Sequence, residues 1–467
     1  MSGLTDLLPP DQILTSPGAM KAYEADAYTV DRSQPAAVVF PRTTEEAAKV
    51  VQWCGRNNVP FTPRGAGTGL SGGAMPALGG VVISTKQMTR ILEMDIENRA
   101  LHAQAGAVNL RLTEAVAAHG LHFAPDPSSQ SVSTLGGNIA ENSGGPHTLK
   151  YGVTTQHVLG LTLVTFEGEV ISLGGRVAEA PGADFVSLIV GSEGTLGIVT
   201  EAWIKLTETP AVVQTATANF PSTRAATDTV AAIIAAGVIP AALEMMDRRI
   251  LEAVRLAFGL DFPNDTQAML LIECDGEAAP SEMETALAIC RQHGALDTRT
   301  AADGTERAQL WKARKKGIGA LGRIAPTLVT HDGVIPRSRL PEMLDFVYEE
   351  ADRAGILVAN IFHAGDGNLH PVLCFDEREP GVVEKVILLG EKIIDRCIEL
   401  GGSLTGEHGV GVEKTSLMKR MFSGTDLRLQ TDVKRIFHQS DLVNPCKILP
   451  DQKGCVEHMR RWRGAAT

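Results

Sequence analysis

A chain of 467 residues is too long for one ordinary core and implies two or three domains. Its formal net charge of −12 repels phosphodiester backbones, which argues against nucleic acid as a partner, and its 44% hydrophobic and 21% charged residues are an ordinary globular mix. Seven cysteines, at positions 54, 274, 290, 374, 397, 446 and 455, form no C-x-x-C pair; this argues against a disulfide framework or an iron–sulfur cluster and suits a reducing cytoplasm. The N-terminal MSGLTDLLPPDQ is not a signal peptide, and the longest apolar stretch, Val230 to Leu243, contains Gly237 and Pro240 and is too short to span a bilayer, so no integral membrane segment is expected.

Ala37 to Phe40 reads as a strand, Thr44 as the cap of a helix from about Glu45 to Asn57, and Val59 to Thr62 as a second strand. The glycine-rich PRGAGTGLSGGAMPALGG follows, then a strand at Val81 to Ser84, a strand at Arg99 to Ala105, and a helix from Leu110 to His119 stopped by Gly120. A second glycine run, STLGGNIAENSGG, precedes strands at Leu161 to Thr165 and Val170 to Leu173, and a third, GSEGTLGIVTEAWIKL, ends the first half. Thr207 to Ala211 reads as a linker. Beyond it a helix from Thr223 to Ala236, a strand from Ala268 to Cys274 and a helix from Ser281 to His293 suit a sheet with helices on one face. Lys434 to Pro450 reads as a helix followed by the extended DLVNPCKILP.

Gly67, Gly69 and Gly72 satisfy G-x-G-x-x-G, with Glu93 placed as a ribose-binding acid would be. A Rossmann unit needs a helix directly after the glycines. Here GAMPALGG leads straight into a strand and cannot form one. Consecutive small residues instead let backbone N–H groups converge on an anion such as a diphosphate, to which Arg64 adds charge.

Taken in order, PRGAGTGLSGG, PDPSS, STLGGNIAENSGGP and GSEGTLGIVTEA resemble the FAD-binding oxidase/transferase type 4 family of the vanillyl-alcohol oxidase and p-cresol methylhydroxylase group. Within it the chain is most similar to the branch holding the glycolate oxidase FAD subunit and the D-lactate and D-2-hydroxyglutarate dehydrogenases. The resemblance covers most of the chain. It implies an α+β architecture: a two-subdomain PCMH-type FAD-binding domain, an α/β substrate (cap) domain with an antiparallel sheet, and a short C-terminal helical segment returning to the flavin. The boundaries it implies are an N-terminal extension over 1–34, the FAD domain over 35–210, the substrate domain over 211–410 and the returning segment over 411–467.

The resemblance further implies which residues hold FAD. Pro63, Arg64, Gly65, Ala66, Gly67, Thr68, Gly69, Leu70 and Gly72 would wrap the pyrophosphate. Pro125, Asp126, Ser129, Ser133, Gly136, Gly137, Asn138, Asn142 and Gly144 would run along the ribityl chain and flavin. Gly191, Glu193, Gly194 and Ile198 would close over the adenine side, and Asn444 would reach the flavin from the C-terminus. Residues 62 to 73 hold no His and 131 to 145 no Cys, so the FAD is expected to be non-covalent.

In the second half, ILVANIFHAGDGNLHPVLCF reads as strand, tight turn at Asp366-Gly367 and strand, with His363 and His370 at either end of the turn. GGSLTGEHGVGVEK adds Glu407 and His408. Two imidazoles and a carboxylate with an open position are what a catalytic divalent metal needs, and zinc suits that donor set best. His363, His370 and Glu407 are the expected ligands, and the family motif matches them. His408 is expected to act as general base, deprotonating a metal-held hydroxyl before hydride passes to flavin N5. By resemblance Arg314 is the clamp for a substrate carboxylate, with Arg323 a second candidate.

Dicarboxylate-oxidising relatives carry a Lys and an Asn where this chain has Thr330 and Val372. That favours glycolate or D-lactate over D-2-hydroxyglutarate. The other readings are D-2-hydroxyglutarate dehydrogenase-like activity and a non-redox FAD-dependent transferase of the same superfamily. The resemblance implies as partners a small 2-hydroxy acid, an electron acceptor or iron–sulfur subunit, and a second copy in a homodimer. It implies a cytoplasmic location, with peripheral attachment at the inner face of the cell membrane through partner subunits.

Overall fold

The computed structural model describes residues 3–177 and 182–450; Cys455 and the end of the expected 411–467 segment lie outside them. The chain divides into two compact units. Unit 1 comprises 1–144, 153–209 and 407–467, and unit 2 comprises 145–152 and 210–406. Among the described residues no helix is long and apolar enough to cross a membrane.

Among the described residues unit 1 holds two larger sheets and a two-stranded pair of Leu121–His122 with Thr207–Glu208. In the first, Ala37–Val39, Val81–Ser84 and Phe61–Arg64 run parallel, as a β-α-β start requires, and Ile13–Leu14 pairs antiparallel at the edge. The helix Thr44–Arg56 packs Val50, Val51 and Trp53 onto that sheet. Its cap is Thr43 rather than Thr44: the Thr43 hydroxyl accepts the Glu46 N–H at 3.2 Å, while Thr44 lies inside the first turn, buried against Thr200. The second sheet, five antiparallel strands in the order Ile91–Asp95, Ala100–Gln104, Ile198–Lys205, Val158–Val164 and Val170–Gly174, encloses a core of Leu101, Leu112, Leu135, Leu163 and Ile204. No helix follows the first glycine run; the strand Val81–Ser84 comes next, as expected.

The end of the chain differs from the sequence reading. The helix there is Gly424–Phe437, ten residues earlier than expected, started by the Ser423 and Asp426 capping box. The following stretch is not extended, because Asn444, Cys446 and Ile448 all have positive φ. It curls back so that Asn444 N–H bonds the Phe61 carbonyl at 2.8 Å. Cys54, Cys274, Cys290, Cys374 and Cys397 are buried, whereas Cys446 is disulfide-bonded, so an odd count without C-x-x-C did not exclude a single bridge.

Unit 2 carries an antiparallel sheet whose central strands Val213–Phe220, Ala268–Asp275, Ala242–Asp247 and Leu357–His363 pair in that order. Helices cover both faces, not one. Met245, Leu270 and Ile272 point to the helices Thr223–Ala235, Ala279–Gln292, Leu340–Ala354 and Val382–Glu399, while Met246, Met269 and Ile361 point to Arg248–Phe258 and Gly304–Ala320. Strands buried on both sides read as continuous apolar runs, which is how AMLLIECD can be understood. The short segment 145–152, drawn from the middle of the FAD-binding motifs, belongs to this unit. Lys150 and Tyr151 bind Asp275, and Leu149 packs into the core.

Candidate functional site

The glycine runs of unit 1 meet one another at backbone distance. A Cβ on Gly65 would lie 2.4 Å from Thr134 Oγ1, and one on Gly136 would lie 2.8 Å from the Ala105 Cβ. Thr134 is held in place because it caps the helix Leu135–Glu141, accepting the Gly137 N–H at 3.2 Å. Asn142 ends that helix at φ 50° and accepts the Thr155 N–H at 2.9 Å. Gly194, also at positive φ, brings the third run onto the Pro63 ring, and Ile198 lies in the core. The Pro125 carbonyl accepts from Asn109, and the Ser129 carbonyl accepts the Ser133 N–H.

Two predicted contacts have other occupations. Arg64 is buried and its guanidinium donates to the carbonyls of Ala25, Ala74 and Ala22, stacking over Tyr23. It therefore anchors the N-terminal extension, and Gly67 is needed beside it, since a Cβ there would lie 2.1 Å from Nη2. Asn444 gives both amide hydrogens to protein, to the carbonyls of Gly73 at 3.0 Å and Glu193 at 2.7 Å, so it staples the first run to the third. The Glu193 carboxylate accepts the N–H groups of Val410 and Gly411, and burial raises its pKa.

Lys447 was not foreseen. It is fully buried, its ammonium donates to the Met75 carbonyl, and burial pushes its pKa down to about 8 against the pull of Glu193 and Asp26.

FAD fits these loops. Among the described residues, Asn138 Nδ2, Asn444 Oδ1, Ser71 Oγ and Ser133 Oγ are buried polar atoms with no protein partner, carried by the first two glycine runs and the C-terminal turn. Such atoms cost free energy unless a bound group satisfies them.

Unit 2 gathers a second set of groups. His363 ends the strand Leu357–His363, and a tight turn follows in which the Asp366 carboxylate accepts the Asn368 N–H and Gly367 takes φ 81°. His370 then lies with its ring 5.1 Å from that of His363, edge to face, and the two rings bring nitrogens within 4.8 Å. The Asp332 carboxylate lies 3.5 Å from His370 Nε2 and also accepts from the Thr405 hydroxyl and the Gly406 N–H. Glu407 and His408 follow Gly406 directly in the chain.

On the other side of His363, Glu244 accepts from Nδ1 at 2.8 Å and pairs with the Arg314 guanidinium. Burial pushes the Glu244 carboxyl up, but Arg314 and His363 together outweigh it and hold it below the ordinary carboxylate range. Arg314, on the helix Gly304–Ala320, is 3% exposed, and its Nε has no acceptor among the described residues. Arg323 is elsewhere: it is exposed and donates to the Leu256 carbonyl.

Imidazoles held through one nitrogen by a carboxylate suit a divalent cation on the other. Glu244 and Asp332 were missed by the sequence reading. An acid inside the apolar run AALEMM was the signal available for Glu244.

Thr330 and Val372, the positions read as setting substrate size, are direct partners across the pair Thr327–Thr330 and Pro371–Phe375.

Comparisons with known proteins find family matches in both halves of the chain. Residues 35–174 match the family described as FAD binding domain, and residues 209–448 match that described as FAD linked oxidases, C-terminal domain. The chain is 40% identical over 459 residues to glycolate oxidase subunit GlcD of Escherichia coli (strain K12), covering 98% of this chain and 92% of that protein. It is 32% identical over 428 residues to D-lactate dehydrogenase of Anaerostipes hadrus, covering 89% and 90%. Among solved structures, p-cresol methylhydroxylase superposes with a TM-score of 0.79 at 15% identity, covering 95% of each chain. An alkyldihydroxyacetonephosphate synthase gives 0.74 at 21%, covering 95% of this chain and 84% of the other. At those identities the structures speak for the fold. With PCMH-type FAD-binding architecture, both family matches and relatives aligned over nearly its whole length, the chain belongs to the FAD-linked oxidase family.

Proposed function

We propose that this chain oxidises a small 2-hydroxy acid, glycolate or D-lactate, to the 2-oxo acid, using non-covalent FAD and a divalent cation, zinc by its donor set. The observation that carries this reading is the convergence within unit 2 of a buried guanidinium, two imidazoles and two buried carboxylates. When bound, FAD supplies the two-electron acceptor and the cation lowers the pKa of a nearby hydroxyl.

The chain's own residues do the rest. Arg314 offers the planar fork that pairs with a carboxylate, and no acceptor among the described residues competes for its Nε. His363 and His370 would hold the cation, with Glu407 as third ligand, and chain continuity from Gly406 ties the G-E-H-G motif to the Asp332 carboxylate. His408 would take the hydroxyl proton, general-base work suited to an imidazole. Substrate size follows from Thr330 and Val372: neither carries a charge for a second carboxylate, which disfavours a D-2-hydroxyglutarate-like activity.

Electrons then leave to oxygen, a soluble carrier or an iron–sulfur partner. The name subunit carried by the glycolate oxidase relatives supports a partner, and gel filtration of a native lysate tests it together with a homodimer. A cytoplasmic location, with peripheral membrane attachment through such a partner, belongs to the same reading.

The decisive experiment is anaerobic flavin reduction against a panel of D- and L-2-hydroxy acids, with metal analysis on the same sample. Bleaching by glycolate or D-lactate, and none by D-2-hydroxyglutarate, is expected. His408→Asn should keep flavin and metal yet abolish bleaching. A wild-type flavin that no acid bleaches refutes the oxidation and returns the transferase reading, which shares this fold.

A further inference from the structure

Two groups on which the proposed chemistry depends converge on one carboxylate to which the reading above gives no task. Glu244 sits on the strand Ala242–Asp247 with no exposed surface. The sheet register places it directly opposite His363, so the pairing is fixed by backbone hydrogen bonds rather than by a loop. Its two oxygens lie 2.8 Å and 3.0 Å from His363 Nδ1, and one of them also meets the Arg314 guanidinium.

A carboxylate has no proton to give, so the shared proton sits on Nδ1 and the lone pair of His363 is on Nε2. The same carboxylate takes one edge of the Arg314 fork and thereby sets the direction of the donors that remain. We infer that Glu244 is a positioning residue that orients both a cation ligand and the substrate clamp, so that binding of the cation and binding of the substrate carboxylate are coupled through it. This rests on the function proposed above, because only there do His363 and Arg314 have those tasks.

The coupling has a consequence for substitutions. Losing Glu244 frees His363 to adopt the other tautomer and frees Arg314 to rotate, so one change should weaken two binding events at once. Loss of such a carboxylate behind a ligating imidazole typically costs about 10- to 100-fold in metal affinity.

The test uses the full-length flavoprotein stripped of metal by chelation, titrated calorimetrically with Mn²⁺ and Zn²⁺. Glu244→Gln keeps size and removes charge. It should bind both ions about 10- to 100-fold more weakly. At saturating metal, its KM for the acid should rise more than its kcat falls. Glu273→Gln is the control, a buried carboxylate on the adjacent strand that touches neither His363 nor Arg314, and its metal affinity should match wild type.

If the uncompensated Arg314 prevents Glu244→Gln from folding, the pair Glu244→Gln with Arg314→Gln is compared with Arg314→Gln alone, and the same loss of metal affinity is expected. Metal affinity within twofold of the matching parent overturns the role of Glu244 while leaving the proposed function standing. A wild-type protein that binds no divalent cation overturns both.

Discussion

Glu273 is a buried carboxylate of unit 2 engaged by several donors, and replacing it with Gln gives a sharp prediction. Its carboxylate is 1% exposed on the strand Ala268–Asp275. It accepts from Thr215 Oγ1 at 2.5 Å, Trp311 Nε1 at 2.7 Å, Arg307 Nε and Nη2 at 2.8 Å each, and stands 3.0 Å from His147 Nε2. Burial alone would raise its pKa, but the hydrogen bonds from Arg307 and then His147 outweigh that and hold it far below the ordinary 4.5.

Gln keeps one acceptor oxygen and turns an amide N–H₂ toward the guanidinium. Removing one partner of a buried pair costs about 3–5 kcal/mol. Because the Arg307 side chain is 41% exposed and can rehydrate, the low end, about 3 kcal/mol, applies. For a unit of about 200 residues this lowers the unfolding midpoint by roughly 6–12 °C at pH 7.

A carboxyl whose folded pKa is depressed contributes stability that is fully present above its unfolded value. That contribution is lost as pH falls through the folded one. The gap between wild type and Glu273→Gln should therefore be constant above about pH 5 and narrow below it. Calorimetry across pH 3–8 measures both, and limited proteolysis should show earlier cleavage within 145–152, which loses its His147 tie. A midpoint shift below about 2 °C at pH 7, or a gap that widens on acidification, refutes the reasoning.

Gly65→Ala should lower flavin content at equal protein, because its Cβ would lie 2.4 Å from the Thr134 hydroxyl that caps the adjoining helix; overpacking of about 1–3 kcal/mol is expected, read by flavin fluorescence on dilution. Acid precipitation should release all the yellow colour into the supernatant, as the lack of His in 62–73 and Cys in 131–145 requires; colour retained in the pellet refutes non-covalent binding. Arg314→Lys keeps the charge but loses the fork. It should raise KM for the acid by roughly 10- to 150-fold, the equivalent of one charged hydrogen bond, in steady-state assays.

Much of this fold was legible because local chemistry and tertiary structure agreed. The three glycine runs advertised close backbone approach, and the approaches at Gly65, Gly136 and Gly194 are what the structure contains. GAMPALGG excluded a Rossmann helix on propensity alone. The misreadings have a common source in partners that sequence order conceals. Arg64 looked like a phosphate ligand because it adjoins the glycines, but its acceptors lie about forty residues away at Ala22 and Ala25. The curled DLVNPCKILP looked extended because nothing local reports that Asn444 must turn to reach Gly73 and Glu193. Glu244 and Asp332 were missed since an acid in a strand gains meaning only from the residue that register sets opposite or beside it.

That last point bears on how a site of this kind keeps its geometry. Catalytic groups carried on loops drift unless something fixes them. In unit 2 the turn between His363 and His370 is short, and Gly367 is pressed so closely on the Ile335 carbonyl that a Cβ would lie 2.1 Å from it. Beyond the turn, His363 is locked by Glu244 across the sheet, and His370 faces an Asp332 that also holds Thr405 and Gly406. One fully buried carboxylate thus braces His363, and a second lies beside His370. Burying such charges is costly unless each is paired, and here each is engaged by several donors. A packed apolar pair would be the cheaper way to join these strands; under the proposed function, the four ionisable groups serve to hold two ring nitrogens at a fixed separation for a cation.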